Sequence, residues 1–513
     1  MQKFFNTAGA CVPRNNYMLQ PDFTEIKKMI DIERYFILHA PRQTGKTTLM
    51  LQLMEQLNQQ DEYIAIYVNI EVGQAWRNKI IELNQTIINE FRIKAKIYLP
   101  KEYQPSADCF ENIGNEFSLF LTNWCLELPK PLVVFMDEVD ALIGDGLISV
   151  LRQLRSGYSQ RPKAFPHAMC LIGLRDIRDY RIYSDSSQRY IVGGSAFNIK
   201  EKSIRLPDFT YEQVKELYAQ HTEATGQNFT IHALQRVFEL TQGQPWLVNA
   251  LARELCFDDY AIPWEQTVTK ENVNNATEIL IKRRDSHLDQ LADKLTEPRV
   301  ARIIELILIG ENTEDSNNTF SEDKQYLIDL GLIRSGEQGL EIANPIYREI
   351  IPRELTAYQQ ETLGQNPKWY VKDDGKLNIE KVLEAYIEFY KEHSELVTKR
   401  KTYTEAAHHL LFMAWLQRIV NGGGYISREY AAGLGRIDLC IDFANERFAF
   451  ELKLSSKKAL TEGTKQLINY LHRLSLDSGW LIIFNRKAVE DWDKVGKRQI
   501  IEQQGKRIEV IWL

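Results

Sequence analysis

Two groups of residues in this 513-residue chain have the types and spacing to do chemistry, and they are of different kinds. The first is Ala40-Pro41-Arg42-Gln43-Thr44-Gly45-Lys46-Thr47-Thr48, directly after the apolar run Tyr35-Phe-Ile-Leu38. A loop of this kind between a strand and a helix aims backbone N–H groups at phosphate oxygens, and the helix dipole adds to the attraction. Lys46 would reach the β- and γ-phosphates of ATP, and Thr47 would hold Mg²⁺. Further along, Val133-Val-Phe-Met-Asp137-Glu138 closes an apolar run with two acids. Asp137 suits a Mg²⁺ holder, and Glu138 suits a general base that orients water. The usual loop pattern is GxxxxGK[ST]. Ala40 stands where its first glycine would be, which narrows the φ freedom of the turn but keeps Gly45-Lys46-Thr47.

The second group is Gly435-Arg-Ile-Asp438 followed by Phe450-Glu451-Leu-Lys453. Metal-dependent phosphodiester cleavage needs carboxylates that converge on one edge and a cation near the attacking water. Asp438 lies among Ile437, Leu439 and Ile441, and after Ala444-Asn-Glu446 the chain returns as Phe448 to Leu454. The short connection predicts neighbouring antiparallel strands. Glu451 and Lys453 are two apart, so both project from one face. Burying such groups in apolar strands is costly unless they bind something. Mg²⁺ is the expected ion, with Mn²⁺ a second occupant at this centre.

Elements must hold these groups in place. Tyr35–Leu38, Tyr63–Ile70, Leu132–Met136, Ala168–Gly173 and Ser203–Leu206 read as buried strands. Leu49, Met50, Leu53, Met54 and Leu57 recur at helical spacing after the loop. Alternation of apolar runs with helical stretches predicts an α/β fold with a parallel sheet covered on both faces. From Pro207 the pattern turns helical, and Gly243-Gln-Pro245 punctuates it. Asp323 to Gly331, followed by Ser335-Gly-Glu-Gln-Gly339, predicts a winged-helix-like unit; acids in the would-be recognition helix favour a structural role. The last region carries two long helical patterns. Strands follow near 435–443, 447–454, 480–484 and 508–513, with a helix at 464–474. The expected domains are a P-loop core over 1–206, a helical lid over 207–290, a winged-helix-like unit over 291–356, a linker over 357–376 and a C-terminal α/β domain over 377–513.

Composition sets bounds. Hydrophobic residues make up 44% and charged residues 26%, as in ordinary soluble domains, and the length demands more than one core. No apolar run is long enough for a membrane span and no secretory signal opens the chain, so a cytoplasmic location is expected. The six cysteines (Cys11, Cys109, Cys125, Cys170, Cys256, Cys440) form no CxxC pair and read as reduced thiols. The net charge is −7, but from Lys381 onward 21 basic residues face 17 acidic ones, so the C-terminal part is the better surface for phosphates.

Residues 1–280 resemble the AAA/STAND-type P-loop ATPases, in particular the group that includes archaeal ATPases. The resemblance implies ATP and Mg²⁺ as cofactors and a homo-oligomer as the working state. It makes Arg175, in Ile172-Gly-Leu-Arg-Asp, a sensor arginine; its other reading is a surface arginine paired with Asp176. It makes Pro245 part of the lid's GxP motif. Tyr17 falls where such proteins lay the N-terminal segment over adenine, although core packing explains it as well. Arg152, Arg155 and Arg161 all remain open as an arginine finger. Residues 380–513 resemble PD-(D/E)XK nucleases, which assigns Asp438, Glu451 and Lys453 to catalysis. That resemblance adds Glu405 as the helical glutamate before the core, and Gln466 with Tyr470 as a QxxxY pair. His408 and His409 are adjacent on a helix, point about 100° apart and so read as packing rather than as a metal pair. Lys457-Lys458 reads equally as a phosphate contact and a solvated turn.

The expected function is therefore an ATP-regulated metal-dependent nuclease acting on DNA, or on RNA, plausible in defence against phage or mobile elements. An ATP-driven switch that holds nucleic acid without cutting, and a repair or recombination enzyme, are the alternatives.

Overall fold

The computed structural model describes residues 2–106, 114–176, 181–184, 189–192, 197–283, 293–309, 318–336, 339–351, 370–372, 374–398, 407–420, 424–430, 437–444, 446–485 and 495–513. Glu405, Gly435, Arg436 and Cys109 lie outside these residues, as does most of the expected 357–376 linker. Asp438 is described as part of its strand only. The chain forms two compact units: Met1–Lys282 with Ile328–Gly331, and Arg283–Leu327 with Leu332–Leu513.

The first unit begins with α1 (Thr24–Asp31), β1 (Tyr35–His39), α2 (Lys46–Gln60) and β2 (Ile64–Asn69). Helices α3 (Ile80–Tyr98) and α4 (Glu116–Glu127) precede β3 (Leu132–Asp137), then α5 (Gly144–Gly157) and β4 (Ala168–Gly173). A hairpin, β5 (Arg181–Ser184) and β6 (Arg189–Val192), separates β4 from β7 (Lys200–Arg205). The main sheet runs β2-β3-β4-β1-β7, all parallel. Successive strand residues point to opposite faces, and both faces are dry. Ile37, Ile66, Val134 and Leu171 pack with α3, α4 and α5 on one side. Phe36, Leu38, Tyr67, Phe135 and Cys170 pack with α1 and α2 on the other. That two-sided burial explains why the strands read as unbroken apolar runs.

Four helices follow: α6 (Tyr211–Thr225), α7 (Ile231–Thr241), α8 (Pro245–Cys256) and α9 (Lys270–Arg283). Thr210 caps α6 by accepting from Gln213 N–H, and the Gln213 side chain accepts from Thr210 N–H in return. Before α8, Gly243 has φ +79, and a Cβ there would sit 1.9 Å from the Phe209 carbonyl oxygen. Only glycine fits. Pro245 opens α8, where its missing N–H costs nothing.

The second unit contains α10 (Pro298–Ile309), most of α11 (Asn318–Asp329) and the antiparallel pair β8 (Ile333–Gly336) and β9 (Gly339–Ile342). After α12 (Ile379–Thr398) and α13 (Ala407–Val420) come β10 (Gly424–Tyr430), β11 (Ile437–Phe443) and β12 (Glu446–Leu454). Then α14 (Ala459–Leu474), β13 (Ser478–Phe484), β14 (Lys497–Gln503) and β15 (Lys506–Trp512) complete the chain. They build a mixed sheet of order β10-β11-β12-β13-β15-β14. It is antiparallel from β10 to β12, parallel from β12 through β13 to β15, and antiparallel again at β14. Helix α14 covers one face over Cys440, Ala449, Leu481 and Val510.

Among the described residues no helix is long and apolar enough to cross a membrane. The described cysteines are free thiols; Cys125, Cys170, Cys256 and Cys440 are buried and Cys11 is partly exposed.

Candidate functional site

In the first unit the loop after β1 is shaped by two left-handed residues, Gln43 (φ +57) and Gly45 (φ +91). They turn the chain so that α2 starts at Lys46 with its N–H groups aimed outward. Ala40, fully buried, donates its N–H to Gly173 O at 3.3 Å, which ties the loop to β4. Thr44 Oγ1 donates to Pro41 O at 2.8 Å. Lys46 Nζ donates to Ala40 O and Pro41 O at 2.8 and 2.9 Å. Burial draws this ammonium below its ordinary range, against the pull of Asp137 and Glu138.

Asp137 ends β3 and is 1% exposed. Its Oδ2 accepts from Thr47 Oγ1 at 3.1 Å and from the Tyr67 hydroxyl at 2.5 Å. Its Oδ1 accepts from Glu138 N–H at 2.8 Å. Glu138 itself is left-handed, φ +58. Burial, helped by the carboxylates of Asp140 and Asp137, pushes the Glu138 carboxyl up to about 7. Thr47 and Asp137 thus offer hard oxygen donors beside a lysine and a helix N-terminus. That donor set fits Mg²⁺ with a nucleotide triphosphate.

A cavity of about 410 Å³ opens beside Thr44, Gly45 and Thr48. Its other walls include Tyr17 and Met18 of the N-terminal segment and Pro245 at the start of α8. That segment is fastened to α6: Gln220 bonds both the N–H and the carbonyl of Met18, at 3.1 and 2.8 Å. Trp246 Nε1 donates to Thr7 O at 2.9 Å. On the other side Cys11 N–H donates to Thr48 Oγ1 at 2.9 Å. Tyr17 is 2% exposed, meets His221 Nδ1 through its hydroxyl and packs on Phe5, yet it also borders the cavity. The two readings of this residue are compatible.

Arg175 is not a surface arginine: its side chain is 14% exposed. Its Nε meets Asp329 Oδ2 at 3.4 Å, while Asp176 is held by Lys200 at 2.6 Å. Both Arg175 and Asp329 belong to the first compact unit. Among the arginines left open, Arg161 stacks 3.3 Å from the Tyr158 ring centroid and donates to Tyr158 O, so its guanidinium is committed inside the fold. Arg152 and Arg155 are exposed on α5.

In the second unit the β11–β12 register sets Asp438 directly opposite Glu451. Glu451 is 1% exposed, and Lys453 Nζ lies 2.6 Å from its Oε1. The contact is close, but neither carboxylate oxygen completes a well-angled hydrogen bond within the described residues. Helix α14 crosses directly over the lysine: a Cβ on Gly463 would sit 3.3 Å from Lys453 Cγ. Gln466 and Tyr470 share the Gly463 face of α14, and the Gln466 Oε1 is buried with no hydrogen-bond partner in the described residues. Among the described residues no group of three or more His, Cys, Asp and Glu side chains is arranged to hold a metal ion.

His408 and His409 are both interior. His408 Nδ1 meets the Tyr390 hydroxyl at 2.8 Å, and both imidazoles lie against Phe484. Burial pulls His408 down to about 4. Burial, with His408 and Lys453 adding repulsion, pulls His409 down to about 3. Unfolded histidine titrates near 6.5. Below that pH the unfolded chain takes protons that the fold refuses, so stability falls with pH down toward those folded values. At pH 5.5 the loss is on the order of 1 kcal/mol per histidine. Thermal unfolding of the second unit at pH 7.5 and 5.5 checks this, and His409→Gln should remove about half of the difference. An equal loss in that variant would assign the acid sensitivity elsewhere.

Residues 25–352 match the AAA-like domain family. The chain belongs to that family, and its first unit is an ATPase of the P-loop, AAA-like type. Residues 377–488 match a domain of unknown function (DUF8371). No curated protein matches the chain. Among solved structures it is similar to the Walker-type ATPase PABY2304 of Pyrococcus abyssi, at 15% identity over 68% of this chain and 99% of that one, TM-score 0.46. It is similar to the RuvB Holliday junction branch migration motor of Thermotoga maritima, at 14% identity over 64% and 94%, TM-score 0.34. It is also similar to Orc1 of Aeropyrum pernix in complex with DNA, at 12% identity over 67% and 95%, TM-score 0.36.

Proposed function

We propose that the chain is an ATP-controlled, metal-dependent nuclease that acts on DNA as a homo-oligomer. In the first unit Lys46 and the loop residues 40–48 hold the phosphates of ATP, and Thr47 and Asp137 hold Mg²⁺. Glu138 takes a proton from the attacking water, Arg175 senses the γ-phosphate, and Pro245 carries the lid over the base. In the second unit Asp438 and Glu451 hold the divalent ion that supplies Lewis-acid chemistry to the scissile phosphate. Lys453 neutralises charge on that phosphate, Glu405 is a further ligand to the ion, and Gln466 orients groups around it.

The observation that carries the reading is the Glu451–Lys453 pair. A carboxylate 1% exposed meets an ammonium 14% exposed at 2.6 Å, in the interior of a six-stranded sheet and in register with a second acid. Buried charges this close cost several kcal/mol in desolvation. A purely structural pair is rarely the cheapest solution there; a pair that meets a metal and a phosphate has a reason to persist.

The test is incubation of the full chain with plasmid, linear and single-stranded DNA and with RNA, with Mg²⁺ or Mn²⁺, with and without ATP. Cleavage that requires the divalent ion and rises with ATP is expected. Binding without cleavage under every condition would leave an ATP-driven switch that only holds nucleic acid.

A further inference from the structure

Tyr67 is absent from the chemistry assigned so far, yet its hydroxyl makes one of the shortest contacts in the first unit. It lies on β2, two residues before Asn69, the register partner of Asp137 on β3. In a parallel sheet that offset is about 6.6 Å along the strand, close to the reach of a tyrosine side chain. The residue is 5% exposed, and its hydroxyl donates to Asp137 Oδ2 at 2.5 Å. A tyrosine packed only for its ring would not need this bond.

What the bond does follows from the other partners of the carboxylate. Asp137 is already oriented by two groups with fixed anchors. Glu138 N–H holds Oδ1 at 2.8 Å and belongs to the backbone. Thr47 Oγ1 holds Oδ2 at 3.1 Å from the first turn of α2. The rotamer therefore does not depend on Tyr67. The phenol adds something else: it takes up negative charge on Oδ2. A cation at Oδ2 shares that oxygen with the tyrosine, and the charge drawn off there also weakens Oδ1 of the same carboxylate as a ligand.

We propose that Tyr67 is a positioning residue that weakens the grip of Asp137 on Mg²⁺, so that it sets how strongly the metal tightens nucleotide binding. The proposal rests on Thr47 and Asp137 being the Mg²⁺ site. Hydrogen bonds to charged groups are strong enough for their loss to be measurable. Metal and nucleotide are linked ligands, so the readout is the ratio of the ATP dissociation constant in EDTA to that in excess Mg²⁺. This ratio reports the coupling and is blind to a uniform loss of packing.

The experiment uses the full chain and a fluorescent ATP analogue. Tyr67→Phe keeps the ring and removes the hydroxyl. The ratio is expected to rise about tenfold over wild type, which corresponds to the weaker end of one hydrogen bond to a charged group. An unchanged or smaller ratio would overturn the proposal. Asp137→Asn separates the two readings. If Mg²⁺ tightens ATP binding in wild type and fails to do so in Asp137→Asn, the metal site stands whatever Tyr67→Phe shows. If Mg²⁺ has no effect in wild type, the metal-site reading fails first. A probe that needs no deletion is 3-fluorotyrosine at position 67. Its ¹⁹F resonance should move when Mg²⁺ is added to the ATP-bound chain, and a resonance that stays put would count against the shared oxygen.

Discussion

Lys46→Ala is expected to weaken nucleotide binding ~100-fold, so that concentrations just saturating the wild-type chain leave the variant mostly empty. The lysine is 9% exposed, beside the loop whose N–H groups would meet the phosphates in the proposed site. Removing one partner of a desolvated, hydrogen-bonded charge pair costs about 3 kcal/mol, or ~100-fold in affinity. The fold itself should hardly notice. Burial already disfavours the Lys46 ammonium, so the alanine variant gives up an expensive charge together with two hydrogen bonds to loop carbonyls. Thermal unfolding separates the two effects. Without nucleotide the variant should melt near wild type. With ATP and Mg²⁺ at a hundred times the wild-type dissociation constant, wild type should gain about 2.7 kcal/mol and the variant only about 0.4 kcal/mol. A variant that still gains the full amount would remove Lys46 from the phosphate site.

The second large effect is expected at Glu451. Glu451→Gln keeps the shape of a buried side chain and removes the charge that the proposed metal needs. Cleavage should fall by at least about 10²-fold, the lower end of what a single charge-stabilising group supplies. Asp438→Ala should do the same from the opposite strand. ATP turnover should survive both changes, because the substitutions fall in a different compact unit from Lys46 and Asp137. Plasmid nicking and phosphate release measured on the same preparations give both numbers. Wild-type cleavage in Glu451→Gln would move the chemistry away from this sheet. Loss of both activities together would mean that the substitution had damaged the fold.

Much of this was legible in the residues. The strand Leu132–Asp137 announced itself because both of its faces are covered, and the same holds for Ala168–Gly173. The phosphate loop is local in sequence, so its chemistry can be read without knowing what packs on it. The two strands of the second sheet that escaped reading are β10 and β14, and these are its two edges. Edge strands are covered less, and β14, Lys-Arg-Gln-Ile-Ile-Glu-Gln, is mostly exposed and polar. The hairpin β5–β6 has only four residues in each strand, too few for a periodic pattern to stand out. Tyr67 escaped for a different reason. In Ile-Ala-Ile-Tyr-Val-Asn it looks like any strand tyrosine, and its partner is 70 residues away, on a neighbouring strand whose register the sequence does not print. Asp329 is the same case, an acid at a helix end whose value lies in meeting Arg175, 154 residues earlier. Pairing between distant elements is where reading by pattern stops.

The segment from Phe4 to Met18 is bonded at one side to Trp246 and Gln220 and at the other to Thr48. A helical cap joined to its base only through the chain at Pro207 could swing like a door on one hinge. This one is also latched on the far side. The gap can widen only by the slack in a few residues before the Gln220–Met18 pair must break. On the proposed function, spent nucleotide would leave only when this short strap lets go, and Gln220, Trp246 and Arg253 together hold it.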